Sequence, residues 1–248
     1  SAPINNKCSA CISMVDKIPP WPQHSFGAHM DLLLLHGALG SKRQMLPLQQ
    51  RVGGAIIDFT GHGERAIPGA GLTFAQFVED IDRAYATNGF SKAHLFGYSM
   101  GGYAALLYAA QFPERVLSVA TLGSKLVWTE EGLQKELRML DPEKMQAKVP
   151  AFAKALADMH GVDRWSALVV AIAKSMSELA AAPLLTPEVC ARIDCKVLLC
   201  VGEEDTTALP HDTRIFASGL QRASVHVLRG TRHPFESVDL NAIEKVLA

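Results

Sequence analysis

Three side chains whose types combine into one chemistry stand in order along this sequence: Ser99, Asp205 and His233. Ser99 is the middle residue of Gly97-Tyr98-Ser99-Met100-Gly101, which fits the pattern G-x-S-x-G. A serine hydroxyl is a poor nucleophile until a base removes its proton. His233, in Gly230-Thr231-Arg232-His233-Pro234, is the candidate base. Asp205, in Gly202-Glu203-Glu204-Asp205, is the candidate to orient the imidazole and stabilise its charged form without taking the proton. Glu203 and Glu204 compete with Asp205 for that role, whereas Asp212 better suits the start of a following helix. His226 falls inside an apolar run and reads as a packed residue.

The glycines around Ser99 have a physical reason. A serine thrust from a tight strand-to-helix turn sits in strained backbone, and side chains two residues away on either side would collide with neighbouring elements. The N-terminus of the following helix also supplies a positive backbone field that favours negative charge. Attack on an acyl carbon further requires N–H donors aimed at the developing oxyanion. The expected donors are the backbone N–H groups of Ala38, in His36-Gly37-Ala38-Leu39-Gly40, and of Met100. His36 itself reads as a brace for that loop. Asp58-Phe59-Thr60-Gly61-His62-Gly63 reads as a structural turn, so His62 is not assigned to substrate.

These residues must be held by regular elements, and the hydrophobic pattern provides them. Leu32 to Leu35, Ala55 to Phe59, His94 to Phe96, Val116 to Leu122, Val197 to Val201 and Val225 to Leu228 read as strands. Several are uninterrupted apolar runs, as expected of parallel strands buried on both faces. Phe74, Phe77, Val78, Ile81 and Tyr85 recur at helical spacing, and Thr73 with Gln76 forms a capping box before them. Gly101 to Gln111 and Ala242 to Leu247 are further predicted helices. The alternation implies right-handed βαβ units and a doubly wound, mostly parallel α/β sheet. Each candidate catalytic residue then follows a strand, at the sheet edge where such folds place ligands.

Residues 125–190 break the rhythm with amphipathic segments alone: Leu133 to Leu140, Phe152 to Met159 and Trp165 to Leu179. They read as a helical insertion, so the core comprises 31–124 and 191–248. Residues 1–30, with Pro19, Pro20, Pro22 and a closing Gly27-Ala28-His29-Met30, read as an irregular leader, native or partly cloning-derived. The CxxC spacing of Cys8 and Cys11 lacks the second pair that a structural zinc site needs. No metal or cofactor is therefore expected. Five cysteines without regular spacing argue against a disulfide framework, and no secretory signal is visible, which together favour a cytoplasmic location. The 24 basic and 25 acidic residues leave a net charge of -1, which gives no electrostatic reason to expect nucleic acid or a membrane surface as partner. The pattern names no oligomeric state.

HGALG at 36–40, DFTGHG at 58–63, GYSMGG at 97–102, GEEDT at 202–206 and GTRH at 230–233, in that order, resemble the α/β-hydrolase superfamily. The resemblance runs over almost the whole chain from Asp31. It implies a triad of Ser99, Asp205 and His233, and a helical cap at 125–190. Two departures stand out: residues 1–30 do not show the antiparallel strand pair with which the family usually opens, and Glu64 replaces a small polar residue after GHG. Relatives that open epoxides or remove halogen carry aspartate at the elbow, so a serine there implies acyl chemistry on esters, thioesters or lactones. The alternatives are C–C hydrolysis or a lyase-like proton transfer with the same triad, or a catalytically weak ligand receptor. A small acyl compound is the expected partner. Trp128, Met139, Met145, Phe152, Met159, Trp165 and Met176 are candidates either for an apolar pocket or for the cap's own core. Lys125 and Arg138 are candidates to hold a substrate carboxylate, or lie on a solvated helix face.

Overall fold

The computed structural model describes residues 31–247. The readings of residues 1–30, Cys8 and Cys11 among them, lie outside the described residues. Six strands form one fully parallel sheet: β1 (Leu32–Leu35), β2 (Ala55–Ile56), β3 (Ala93–Tyr98), β4 (Val116–Leu122), β5 (Lys196–Gly202) and β6 (Ala223–Leu228). Their spatial order is β2-β1-β3-β4-β5-β6, which reverses direction about β1 and β3. The register sets Leu35 beside Gly97, Gly97 beside Thr121, and Leu122 beside Cys200, so the strand ends that carry the predicted site share one edge.

Alternation along each buried strand feeds two cores. Leu33 and Leu35 of β1 face one side with Leu95, Val119 and Leu199, under α2 (Phe74–Asn88) and α3 (Met100–Gln111). Leu32 and Leu34 face the other with Phe96, Ala120 and Cys200, under α1 (Lys42–Val52) and α10 (Leu240–Leu247). This two-residue period, hidden in an all-leucine run, is what places helices on both faces. Helix α2 starts as expected, with Thr73 and Gln76 making both bonds of a capping box, and ends at Gly89 in the left-handed conformation. Between β4 and β5 lie five helices: α4 (Glu130–Met139), α5 (Pro142–Lys148), α6 (Pro150–His160), α7 (Trp165–Ala181) and α8 (Pro187–Cys190). Helix α9 (Pro210–Ser218) follows β5 and carries Asp212 in its first turn.

Two sequence expectations need correction, and one helix lay outside the predicted elements. The strand anticipated over 55–59 stops at Ile56, because the following backbone bonds to side chains instead of to β1. The Phe59 N–H donates to His36 Nε2 at 3.1 Å, and Asp58 O accepts from Arg65 Nη1 at 2.7 Å. Helix α1 is that addition: Ser41 caps it through the Arg43 N–H, and it carries Pro47 within it. His226 is exposed rather than packed, because β6 is an edge strand.

Candidate active site

Ser99 sits at the turn from β3 into α3 with φ 51° and ψ -116°, the one non-glycine positive φ among the described residues. Such backbone costs on the order of 1–3 kcal/mol and persists only where the surroundings enforce it. The enforcement is visible. The Ser99 N–H donates to Leu122 O at 2.8 Å, and Ser124 Oγ donates to Ser99 O at 2.8 Å. A Cβ on Gly97 would lie 2.4 Å from the Gly101 carbonyl carbon, and one on Gly101 would lie 2.6 Å from His36 O. Both flanking glycines are therefore steric necessities of the turn.

The structure brings Ser99, His233 and Asp205 together. Ser99 Oγ lies 3.3 Å from His233 Nε2, and His233 Nδ1 lies 2.8 Å from Asp205 Oδ2. Asp205 is buried, and its second oxygen accepts the N–H groups of Thr207 and Ala208, each at 2.8 Å. These bonds fix the carboxylate plane and leave one oxygen for the imidazole. Glu203 instead accepts from the Gly230 N–H, and Glu204 pairs with Arg232 at the surface. Neither reaches His233.

Several supports escaped sequence reasoning. Tyr98 Oη donates to His233 O at 2.9 Å and so anchors the histidine loop from the residue before the serine. Gly123, at φ 61°, passes close to the Asp205–His233 contact: a Cβ there would lie 3.1 Å from Asp205 Oδ2 and 3.2 Å from His233 Nδ1. The glycine just after β4 was the available signal.

Opposite Ser99 runs the loop of residues 36–40. Neither the Ala38 N–H nor the Met100 N–H has a hydrogen-bond partner among the described residues. Met100 opens α3, where backbone donors have no intrahelical acceptor. The loop is held by its carbonyls. His62 Nε2 lies 2.6 Å from Ala38 O, and His160 Nε2 donates to Leu39 O at 3.0 Å while its Nδ1 accepts the Gly63 N–H. His36 bonds Gly37 O and Phe59 N, the bracing role expected of it. Burial lowers the pKa of all three histidines, that of His62 to about 4. His160 comes from α6, and Arg164, just before α7, donates to Gly63 O and Arg65 O. The helical insertion is thereby tied to the loop that presents Ala38.

Beside Ser99 is a largely apolar cavity. Phe74, Met100, Tyr103, Ile172, Met176 and Leu179 give it apolar walls, and Lys125, Trp128 and Glu136 add polar atoms. Of the substrate-contact candidates, Lys125, Trp128 and Met176 line it. Trp165 does not, because it packs with Met145, Leu156 and Val169 in the insertion's own core. Arg138 and Met139 are exposed on α4, whose buried face is set by Leu133 and Glu136, and Phe152 is exposed on α6, which buries Ala153, Leu156 and His160 instead. Trp128 Nε1 is buried without a partner, an arrangement that costs about 1–3 kcal/mol. No group of three metal-ligating side chains occurs among the described residues, and no described helix is long and apolar enough to cross a membrane.

Fold and site together are those of the α/β hydrolases, and residues 32–168 match the family described as alpha/beta hydrolase fold. This chain belongs to that family. Over 98 residues it is 36% identical to the dihydrolipoyllysine-residue acetyltransferase component of the acetoin cleaving system of Cupriavidus necator, covering 38% of this chain and 26% of that one. Over 98 residues it is 34% identical to 2-succinyl-6-hydroxy-2,4-cyclohexadiene-1-carboxylate synthase of Yersinia pseudotuberculosis, covering 38% of this chain and 36% of that one. The chain thus matches only about a quarter to a third of these curated relatives' length. A thermophilic esterase from Thermogutta terrifontis superposes with a TM-score of 0.68 at 19% identity, covering 89% of each chain.

Proposed function

We propose that this chain is a serine hydrolase of small carboxylic esters or related acyl compounds such as thioesters and lactones. The carrying observation is the hydrogen-bonded series Ser99–His233–Asp205, and the unpartnered backbone N–H groups of Ala38 and Met100 near it support the reading. In this reading His233 Nε2 takes the hydroxyl proton as Ser99 Oγ bonds to the carbonyl carbon. The carbonyl oxygen gains the negative charge and is met by the N–H groups of Ala38 and Met100. Collapse breaks the bond to the leaving alkoxide, which takes the proton from His233. Water then repeats the sequence on the acyl-serine, releasing the acid and restoring Ser99. Asp205 keeps the imidazole oriented and balances its positive charge throughout. The insertion acts as a cap over this centre, and the apolar cavity beside Ser99 takes the acyl group.

The test is hydrolysis of p-nitrophenyl esters of graded chain length by wild type and Ser99→Ala. Turnover of short esters that disappears in the variant is the expected result. Absence of turnover by folded wild type would sink the reading. The similarity to the Yersinia synthase favours a second reading, in which the same triad moves a proton on a carbonyl-rich metabolite. Activity on β-diketones without activity on aryl esters would select it.

A further inference from the structure

The cavity beside Ser99 carries a polar patch that the triad does not use. Lys125 and Trp128 share its wall, with the Lys125 ammonium 5.4 Å from the centre of the indole ring. Trp128 Nε1 is the one buried side-chain polar atom among the described residues that has no hydrogen-bond partner. Folded proteins rarely leave such a donor unmatched, and cavities that receive a ligand are where they do. Lys125 is also under-engaged. Its Nζ reaches Glu136 Oε1 at 3.4 Å, Thr207 O at 3.4 Å and Gly132 O at 3.5 Å, all at the outer limit of hydrogen bonding. A charged donor that has found its preferred acceptor sits at about 2.7–2.9 Å. The ammonium is nevertheless largely withdrawn from water, with its side chain 14% exposed. Two side chains with donor capacity to spare therefore line the cavity beside Ser99, where an acyl group bound at Ser99 would lie.

The charge of the patch restricts what it accepts. Glu136, its side chain 10% exposed, already compensates Lys125. A substrate carboxylate would leave a net negative charge in a nearly dry cavity, which is strongly unfavourable. A carbonyl oxygen would satisfy the indole N–H and shorten a contact to the ammonium with no uncompensated charge. We propose that Lys125 and Trp128 form a specificity site for a neutral hydrogen-bond acceptor, a ketone, ester or amide carbonyl, carried toward the far end of the substrate's acyl group. This rests on Ser99 acting as an acyl-transfer nucleophile. It departs from a carboxylate-binding role for Lys125.

The experiment compares p-nitrophenyl 4-oxopentanoate and 5-oxohexanoate with their apolar isosteres, the 4-methylpentanoate and 5-methylhexanoate esters, and with the glutarate half-ester. Each kcat/KM is divided by the rate of hydroxide-catalysed hydrolysis of the same ester, which removes intrinsic reactivity. Wild type is expected to prefer an oxo ester over its isostere by about tenfold or more at one of the two positions, and to cleave the half-ester more slowly than either. Trp128→Phe, which keeps the aromatic wall and removes the N–H, brings the oxo-to-isostere ratio close to one, and Lys125→Met lowers it. The wild-type ratio stands even if a variant fails to fold. Cleavage of the methyl esters with no oxo preference at either position overturns the proposal and leaves the esterase reading intact. Preference for the half-ester overturns it in favour of a carboxylate. Failure to cleave any ester overturns the reading on which it rests.

Discussion

At the residue level, the separation of orientation from proton transfer makes Asp205 and Gly97 informative in different ways. Asp205 binds two backbone N–H groups through one oxygen and His233 through the other. An asparagine keeps the shape but presents an amide nitrogen or a neutral oxygen to Nδ1, which disfavours the productive tautomer. Asp205→Asn is expected to lower kcat by about 10⁴ with KM little changed, as measured for aspartates in such triads. Steady-state kinetics on a short aryl ester with matched circular dichroism checks it; a loss below tenfold would show that another carboxylate assists. Gly97→Ala acts on folding instead. Its Cβ would meet backbone atoms of Gly101 and Gly102 at 2.4 Å, and backbone cannot yield as a flexible side chain can. The expected cost is at least about 3 kcal/mol, seen as a lowered denaturation midpoint or loss of soluble protein. An alanine variant with wild-type stability would mean that the turn relaxes.

At the level of elements, what was readable in advance depends on whether the signal was local. Ser99, Asp205 and His233 were legible because each lies in a short motif directly after an apolar run, and a parallel sheet collects such loops at one edge. The Thr73 cap was legible because its partner lies three residues away. Tyr98 and Ser124 were not, since their bonds to His233 and Ser99 join residues remote in sequence. Trp165 and Arg138 show the converse limit: an amphipathic helix announces that it has a buried face but not what that face meets.

His160 belongs to the same unreadable class, and its role has a measurable consequence. It joins α6 to the loop of residues 36–40; its ring meets that of His62 edge-on at 5.9 Å, and His62 in turn lies 4.9 Å from the tilted ring of His36. Burial depresses all three pKa values, against the opposing pull of carbonyl acceptors and of Asp58 on His62. A folded-state pKa below the unfolded one means that the unfolded chain binds more protons, so stability is complete above about pH 6.5 and falls as pH drops toward 4. His62 alone, at a folded pKa of about 4, accounts for about 2 kcal/mol lost at pH 5. The melting temperature is expected to fall between pH 7.5 and 5, and His62→Gln should flatten that fall whatever it does to stability at pH 7.5. An undiminished pH slope in the variant would assign the effect to other groups.

For the molecule as a whole, the question is whether the helical insertion is a lid with a life of its own or part of one cooperative body. Its composition argues both ways. Met145, Ala153, Leu156, Trp165 and Val169 form a small separate core, too few side chains to stabilise α5 and α6 alone. Leu168, Ile172 and Leu179, on the same helix α7 as Trp165 and Val169, instead join the large cluster that includes Leu33, Tyr103 and Leu199. Helix α7 thus belongs to both cores. Unfolding the sheet removes the support of α7, and losing α7 uncovers Met100 and Tyr103 next to Ser99. Two bodies that share a buried helix in this way should unfold together. Trp128 and Trp165 both lie in the insertion, so tryptophan fluorescence reports on it, while far-ultraviolet circular dichroism reports on the helices and sheet of the whole chain. In a Trp21→Phe background, which removes the remaining tryptophan, the two signals are expected to trace superimposable urea transitions with one midpoint. A fluorescence transition at clearly lower urea would show that the insertion opens by itself, with the sharing of α7 between the two cores too weak to couple them.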